Sequence, residues 1–187
     1  MASILIVYAS GEGQTTRIVE RMVELINGAG HEATVVRCRS LPTPPSPEDY
    51  DGVLVGSSVH MGNHAAKVDR FVSAHLEGLR RKPTAFFSVS MSAGSPRAEV
   101  RAAAQGYVDD FLKETGWKPD AKAIFAGAIR YTHYGPLKRW IMRRTIGEEL
   151  GQTDLTRDYE YTDWAAVERF VRDFLRRVEA TQVATPG

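Results

Sequence analysis

The stretch Ser10-Gly11-Glu12-Gly13-Gln14-Thr15 follows a short apolar run and precedes an amphipathic one. Hydroxyl groups flank glycines that let backbone N–H groups converge. A helix starting there adds its own unpaired N–H groups and dipole, and together these favour a bound anion. The P-loop pattern needs lysine and then serine or threonine after its last glycine, where this chain has Gln14 and Thr15. The dinucleotide pattern needs a third glycine where this chain has Thr16. A nucleoside triphosphate and NAD are therefore disfavoured. With no lysine or arginine in these six residues, neutral donors would hold the anion, which suits a mononucleotide phosphate. Glu12 is expected to turn its carboxylate away from it. The plain alternative is an ordinary glycine-rich connection.

A second group of chemistry-bearing residues lies far along the chain. Between Arg130 and Ile146 stand Arg130, Lys138, Arg139, Arg143 and Arg144 and no acidic residue. Leu137, Trp140, Ile141, Met142 and Ile146 are interleaved with them, and Pro136 suits a helix start. A basic amphipathic helix with tryptophan is suited to a membrane surface, or its cations to carboxylates of a substrate. The bland alternative is a helix packed on its own domain with a solvated basic face. Tyr131, His133 and Tyr134 stack on a ligand or merely pack.

Other patterns carry less. His60 and His64 have an i,i+4 spacing, but no nearby carboxylate or cysteine completes a metal site, and no metal is expected. A Gly-x-Ser-x-Gly elbow is missing, which argues against a hydrolase triad, and no catalytic residue is assigned. Cys38 is the single cysteine, so no internal disulfide can form. The formal net charge of +1 argues against nucleic acid as a partner. No stretch approaches a membrane span or a signal sequence.

The elements that must position these residues alternate in type along the 187-residue chain. Apolar runs at 4–8, 33–37, 52–56, 84–89 and 122–128 predict five strands. Helical periodicity covers 17–26, 65–79, 98–115 and 162–178. Strands that are apolar throughout, separated by helices, imply a doubly wound α/β fold with a parallel sheet of order 2-1-3-4-5. Residues 1–180 are expected as one domain with a long insertion at about 129–161, and 181–187 as a flexible tail. The proline-rich 41–51 stretch predicts an irregular crossover. Ligands of such sheets sit beyond the carboxyl ends of the strands, where "SSVHMGNH" and "SMSAGSPR" could grip a flat ring.

On these features the chain resembles the flavodoxin family. Ser10, Gly13 and Thr15 match its Thr/Ser-x-Thr-Gly-x-Thr turn, with Glu12 and Gln14 replacing the usual hydroxyl residue and asparagine. The resemblance is greatest to the bacterial menaquinone-dependent protoporphyrinogen oxidases. It rests on Glu12-Gly13-Gln14-Thr15, Ser88-Val89, "AGAIRY" at 126–131 and "YTDW" at 161–164. It implies non-covalent FMN and the oxidation of protoporphyrinogen IX in heme synthesis. The acceptor would be menaquinone or ubiquinone, at the cytoplasmic face of the inner membrane.

The expected cofactor contacts are Ser10, Gly11, Glu12, Gly13, Gln14 and Thr15; Ser58, Val59, His60, Met61 and Gly62; Ser90, Met91, Ser92, Ala93 and Gly94; and Thr153 with Asp154. Arg130, Tyr131, Tyr134, Lys138, Arg139, Trp140, Arg143 and Arg144 are expected to meet substrate or membrane. Two other readings stay open: a flavodoxin-type electron carrier, and a soluble NAD(P)H:quinone reductase. Self-association as a homo-oligomer is left open as well.

Overall fold

The computed structural model describes residues 1–38, 45–144 and 154–184. Strand β1 (Ser3–Ala9) lies at the middle of the fold because its sequence is apolar on both faces. Ile4, Ile6 and Tyr8 enter one core and Leu5 and Val7 the other, as the two-residue period of a strand requires. β2 (Glu32–Arg37), β3 (Gly52–His60), β5 (Thr84–Ser90) and β6 (Ala121–Ala126) complete a parallel sheet of order β2-β1-β3-β5-β6. In register, Ile4 is opposite Gly52 and Val55 is opposite Phe86. The expected order of five parallel strands is the one observed.

Helix α1 (Gln14–Gly28) and α6 (Trp164–Ala184) cover one face, where Ile18, Met22 and Ile26 meet Phe170, Phe174 and Val178. α2 (Ala66–Ala74) and α4 (Ala98–Thr115) cover the other, with Val68, Val72, Val108 and Phe111 against Val53 and Phe86. Each such fully buried side chain contributes roughly 1.5–3 kcal/mol by leaving water.

The structure differs from the sequence expectations at several boundaries. The helix expected over 65–79 breaks at His75, whose backbone (φ −116, ψ 17) leaves the helical range, and α3 (Leu76–Arg80) follows. The third strand does not stop at Gly56. It runs on to His60 and turns back as β4 (Asn63–His64) through Met61 (φ 50) and Gly62 (φ 82). Positive φ at both central residues matches the twist of a tight hairpin. The last helix continues to Ala184, four residues into the segment expected as a tail. Within the described part of 41–51, Pro47–Asp49 forms a single turn of 3₁₀ helix.

The insertion is tied to the body. β7 (Ala128–Ile129) pairs antiparallel with β8 (Tyr159–Glu160), so the chain leaves and returns at one place. Ile129, Tyr131 and Tyr134 form a small third core there, joined by Met91, Met142, Leu155, Tyr159 and Tyr161. α5 (Pro136–Met142) stands between β7 and β8 in sequence.

Candidate functional site

The carboxyl ends of β1, β3, β5 and β6 open onto a cleft of about 350 Å³. It lies where the connection from β1 runs outward to β2 and β3 begins the other half of the sheet, the usual ligand position in such folds. Its wall combines polar groups, among them Glu12, Gln14, Thr15, Ser58, Ser90 and Ser92, with the apolar side chains of Val59, Met61, Val89, Met91, Tyr107 and Met142.

The stretch Ser10 to Thr15 is a built turn. Gly13 has φ 92, a conformation that L side chains rarely adopt, and it precedes α1 directly. Its N–H donates to the Ser10 hydroxyl at 3.1 Å, and the Gly11 N–H donates to the Ser58 hydroxyl at 3.2 Å. Both hydroxyls accept from the turn, so their own hydrogens can be donated to a ligand. Helical bonding starts at Arg17 N–H to the Gly13 carbonyl, 3.1 Å. The N–H groups of Gln14, Thr15 and Thr16 precede it and point from the helix start. The His60 ring lies over Gly11, where a Cβ would come 1.9 Å from Nε2.

Gln14 is buried because three parts of the chain meet on it. Its amide donates to Thr162 Oγ1 at 2.9 Å, and its carbonyl accepts from Arg130 Nη2 at 3.0 Å. Thr162 donates in turn to the Ala126 carbonyl at 2.8 Å. The "AGAIRY" and "YTDW" stretches therefore brace the turn through one amide.

Of the expected cofactor contacts, the cleft wall includes Glu12, Gln14, Thr15, Ser58, Val59, His60, Met61, Gly62, Ser90, Met91 and Ser92. Ser10, Gly11 and Gly13 shape the turn behind it. Ala93 and Gly94 do not line it. They form a short turn after β5, and a Cβ on Gly94 would lie 3.2 Å from Ala126 and Tyr161. Asp154 does not line it either, because its carboxylate is bound within its own loop by Thr156. Thr153 lies outside the described residues. The sequence reading missed Val89, Tyr107, Gly127, Ala128 and Met142. The rule for sheet edges could have given Gly127 and Ala128. Tyr107 looked like one more apolar position of α4.

The insertion residues divide sharply. Tyr131 and Tyr134 are buried, so neither ring is offered to a membrane. Burial pushes the hydroxyl titration of Tyr131 upward, and that of Tyr134 further, with the Glu12 carboxylate adding to it. Arg139 donates to the Tyr134 carbonyl at 3.1 Å. Leu137, Trp140 and Ile141 are exposed, Trp140 to 55 %, and Arg144 lies over the Trp140 ring. Nothing is described of the Lys138 side chain, and Ile146 is outside the described residues. His60 and His64 do not converge. His64 is packed against Phe86 and Phe111 and bonded to Ser88 Oγ at 2.9 Å, and burial lowers its pKa to about 4. Among the described residues no cluster could hold a metal ion, and no helix is long and apolar enough to cross a membrane.

Comparison with known proteins follows the same outline. A family model described as a flavodoxin domain matches residues 5–156. The protoporphyrinogen IX dehydrogenase [quinone] of Escherichia coli strain K12 is 31% identical over 169 residues, covering 90% of this chain and 92% of that one. The protein of the same name from Leishmania major is 32% identical over 174 residues, covering 91% of this chain and 73% of that one. Among solved structures, a flavodoxin from the domain Archaea superposes with a TM-score of 0.53 at 14% identity, covering 95% of this chain and 99% of that one.

Proposed function

This chain belongs to the flavodoxin domain family, and we propose that it is a quinone-dependent protoporphyrinogen IX dehydrogenase working with FMN in the cleft. Similarity to two dehydrogenases of that name over nine-tenths of the chain supports the reaction. The observation on the molecule itself that carries the reading is the cleft at the carboxyl edge of the sheet, bordered by the glycine-rich turn at the start of α1.

The residues present fit FMN. The N–H groups at the start of α1 and the hydroxyls of Ser10, Thr15 and Ser58 would hold its phosphate. Val59, Met61, Val89, Met91 and Tyr107 would flank its ring system. FMN supplies two-electron redox chemistry to a donor and an acceptor that use the site in turn. The chain's own part is to hold that group, keep one face open and admit two large apolar partners.

The mouth suits such partners. Met61 is fully exposed at the tip of the hairpin, and Met91 and Met142 also line the cleft. Thioether side chains adapt to apolar shapes without fixed complementarity. Among the described lining residues only Glu12, His60 and Tyr107 are ionisable. Glu12 already accepts from Tyr134. His60 is exposed at the mouth.

The exposed side of α5 supports approach to a bilayer. Leu137, Trp140 and Ile141 point outward while Met142 of the same helix lines the cleft. Arg143 and Arg144 continue the surface, and each cation near an anionic membrane contributes about 1 kcal/mol.

The test supplies protoporphyrinogen and a quinone analogue to the FMN-loaded protein and follows porphyrin fluorescence. A rate well above autoxidation is expected. A rate equal to autoxidation, with rapid NADPH consumption, would replace this reading with an NAD(P)H:quinone reductase.

A further inference from the structure

The six residues Ser10 to Thr15 carry no cation, yet the tertiary structure brings two to the turn. Arg37, the last residue of β2, donates from Nη2 to the Ser10 carbonyl at 2.9 Å. Arg130, just after β7, donates from Nη2 to the Gln14 side-chain carbonyl at 3.0 Å. Ser10 begins the turn and Gln14 is its next-to-last residue, so one guanidinium is hydrogen-bonded near each end.

Among the described residues no carboxylate is bonded to either charge. Both arginines bond to neutral carbonyl oxygens, and among the described residues neither makes an ion pair. The Nε of each is buried with no hydrogen-bond partner. A guanidinium partly removed from water with a donor unused is costly unless a negative group compensates it. The nearby acids are mostly engaged elsewhere. Glu12 accepts from Tyr134, Glu160 pairs with Arg17, and Asp158 accepts from Thr132 while feeling the Arg130 charge at longer range.

We propose that Arg37 and Arg130 form a two-sided cationic clamp that makes the turn select a flavin bearing a terminal phosphate over one without it. The inference rests on the reading of the cleft as the FMN site. The helix start and hydroxyls hold the phosphate oxygens, and the two guanidinium groups supply the countercharge from behind the turn. Their field acts within the Debye length, about 8–10 Å at ordinary salt, so it need not involve contact.

The experiment titrates wild type, Arg37→Gln, Arg130→Gln and the double variant with FMN and with riboflavin, following flavin fluorescence across a salt series. Wild type is expected to prefer FMN strongly, with an affinity that falls as salt rises. Each single variant should weaken FMN binding by about fivefold and the double variant by more than about tenfold, with a shallower salt slope. Riboflavin binding should stay within about twofold, because it lacks the phosphate. Arg37→Lys and Arg130→Lys, which keep the charge, should recover most of the loss. Equal losses for both flavins would mean a structural role and overturn the clamp. FMN binding unchanged in the double variant would overturn it too, leaving the FMN site intact. A wild-type chain that bound neither flavin would overturn the FMN reading and the clamp with it.

Discussion

The Tyr134 hydroxyl donates to the Glu12 carboxylate, joining the turn after β1 to the insertion after β7. Tyr134 also receives the Arg130 N–H at 3.5 Å, so one phenol bonds both to the turn and to the backbone where the insertion begins. The bond gives the one acid of the turn a local donor. It also explains how an acid can stand beside an anion site at all, since charge held by a donor repels a neighbouring anion less.

Removing that donor should show in cofactor affinity. Tyr134→Phe is expected to weaken FMN binding by about fivefold, near 1 kcal/mol, as the Glu12 charge loses compensation. Glu12→Gln in the same background should restore it, because the repulsive charge is gone. Fluorescence titration of the two single variants and the double variant measures the coupling. Independent, additive effects would remove Glu12 from the account.

The approach of His60 to Gly11 predicts a paired effect. A Cβ at Gly11 would sit 1.9 Å from His60 Nε2, so Gly11→Ala must drive the ring away. FMN affinity should fall by about tenfold, equivalent to about 1.4 kcal/mol. Adding His60→Ala should recover most of it by opening the space. A double variant as weak as Gly11→Ala would place the effect in the turn backbone instead.

Acid stability should follow His64. Burial lowers its pKa from 6.5 to about 4, so below pH 6.5 the unfolded chain binds the proton more readily than the folded one. This contribution is complete above pH 6.5 and is lost as pH falls toward 4. The loss is about 2.5 kcal/mol by pH 4.5. Denaturant unfolding at pH 7.5 and 4.5 measures it. His64→Gln should be less stable at pH 7.5 but lose less on acidification than wild type does.

Membrane approach through α5 gives a physical test separate from turnover. Trp140→Ser with Ile141→Ser removes apolar surface that is exposed. Cosedimentation with anionic vesicles should drop several-fold, while melting temperature and FMN affinity stay near wild type. Vesicle binding that is unchanged, or indifferent to salt, would count against this surface.

The fold was legible from local pattern because its strands are apolar on both faces and its helices on one. Helix α4 was read to its observed ends, since "TG" at 115–116 places a glycine at φ 66 just where the helix stops. The break at His75 was not, because nothing in "VSAHLEG" disfavours a helix strongly. The hairpin at 59–64 was missed because Met61 at its turn is not a residue that announces positive φ.

The candidate site divides along the same line. The sequence by itself determined the glycine-rich turn, its helix start and the loops at the carboxyl edge of the sheet, since each depends on neighbours a few residues apart. Only the tertiary structure decided that Tyr131 and Tyr134 are core, that Tyr107 and Met142 line the cleft, and that Asp154 does not. It also decided the electrostatics. The turn lacks a cation in sequence, but Arg37 and Arg130 reach it across 27 and 116 positions of chain. Charge acts through space, and the distances that govern it do not exist until the sheet has brought the ends of its strands together.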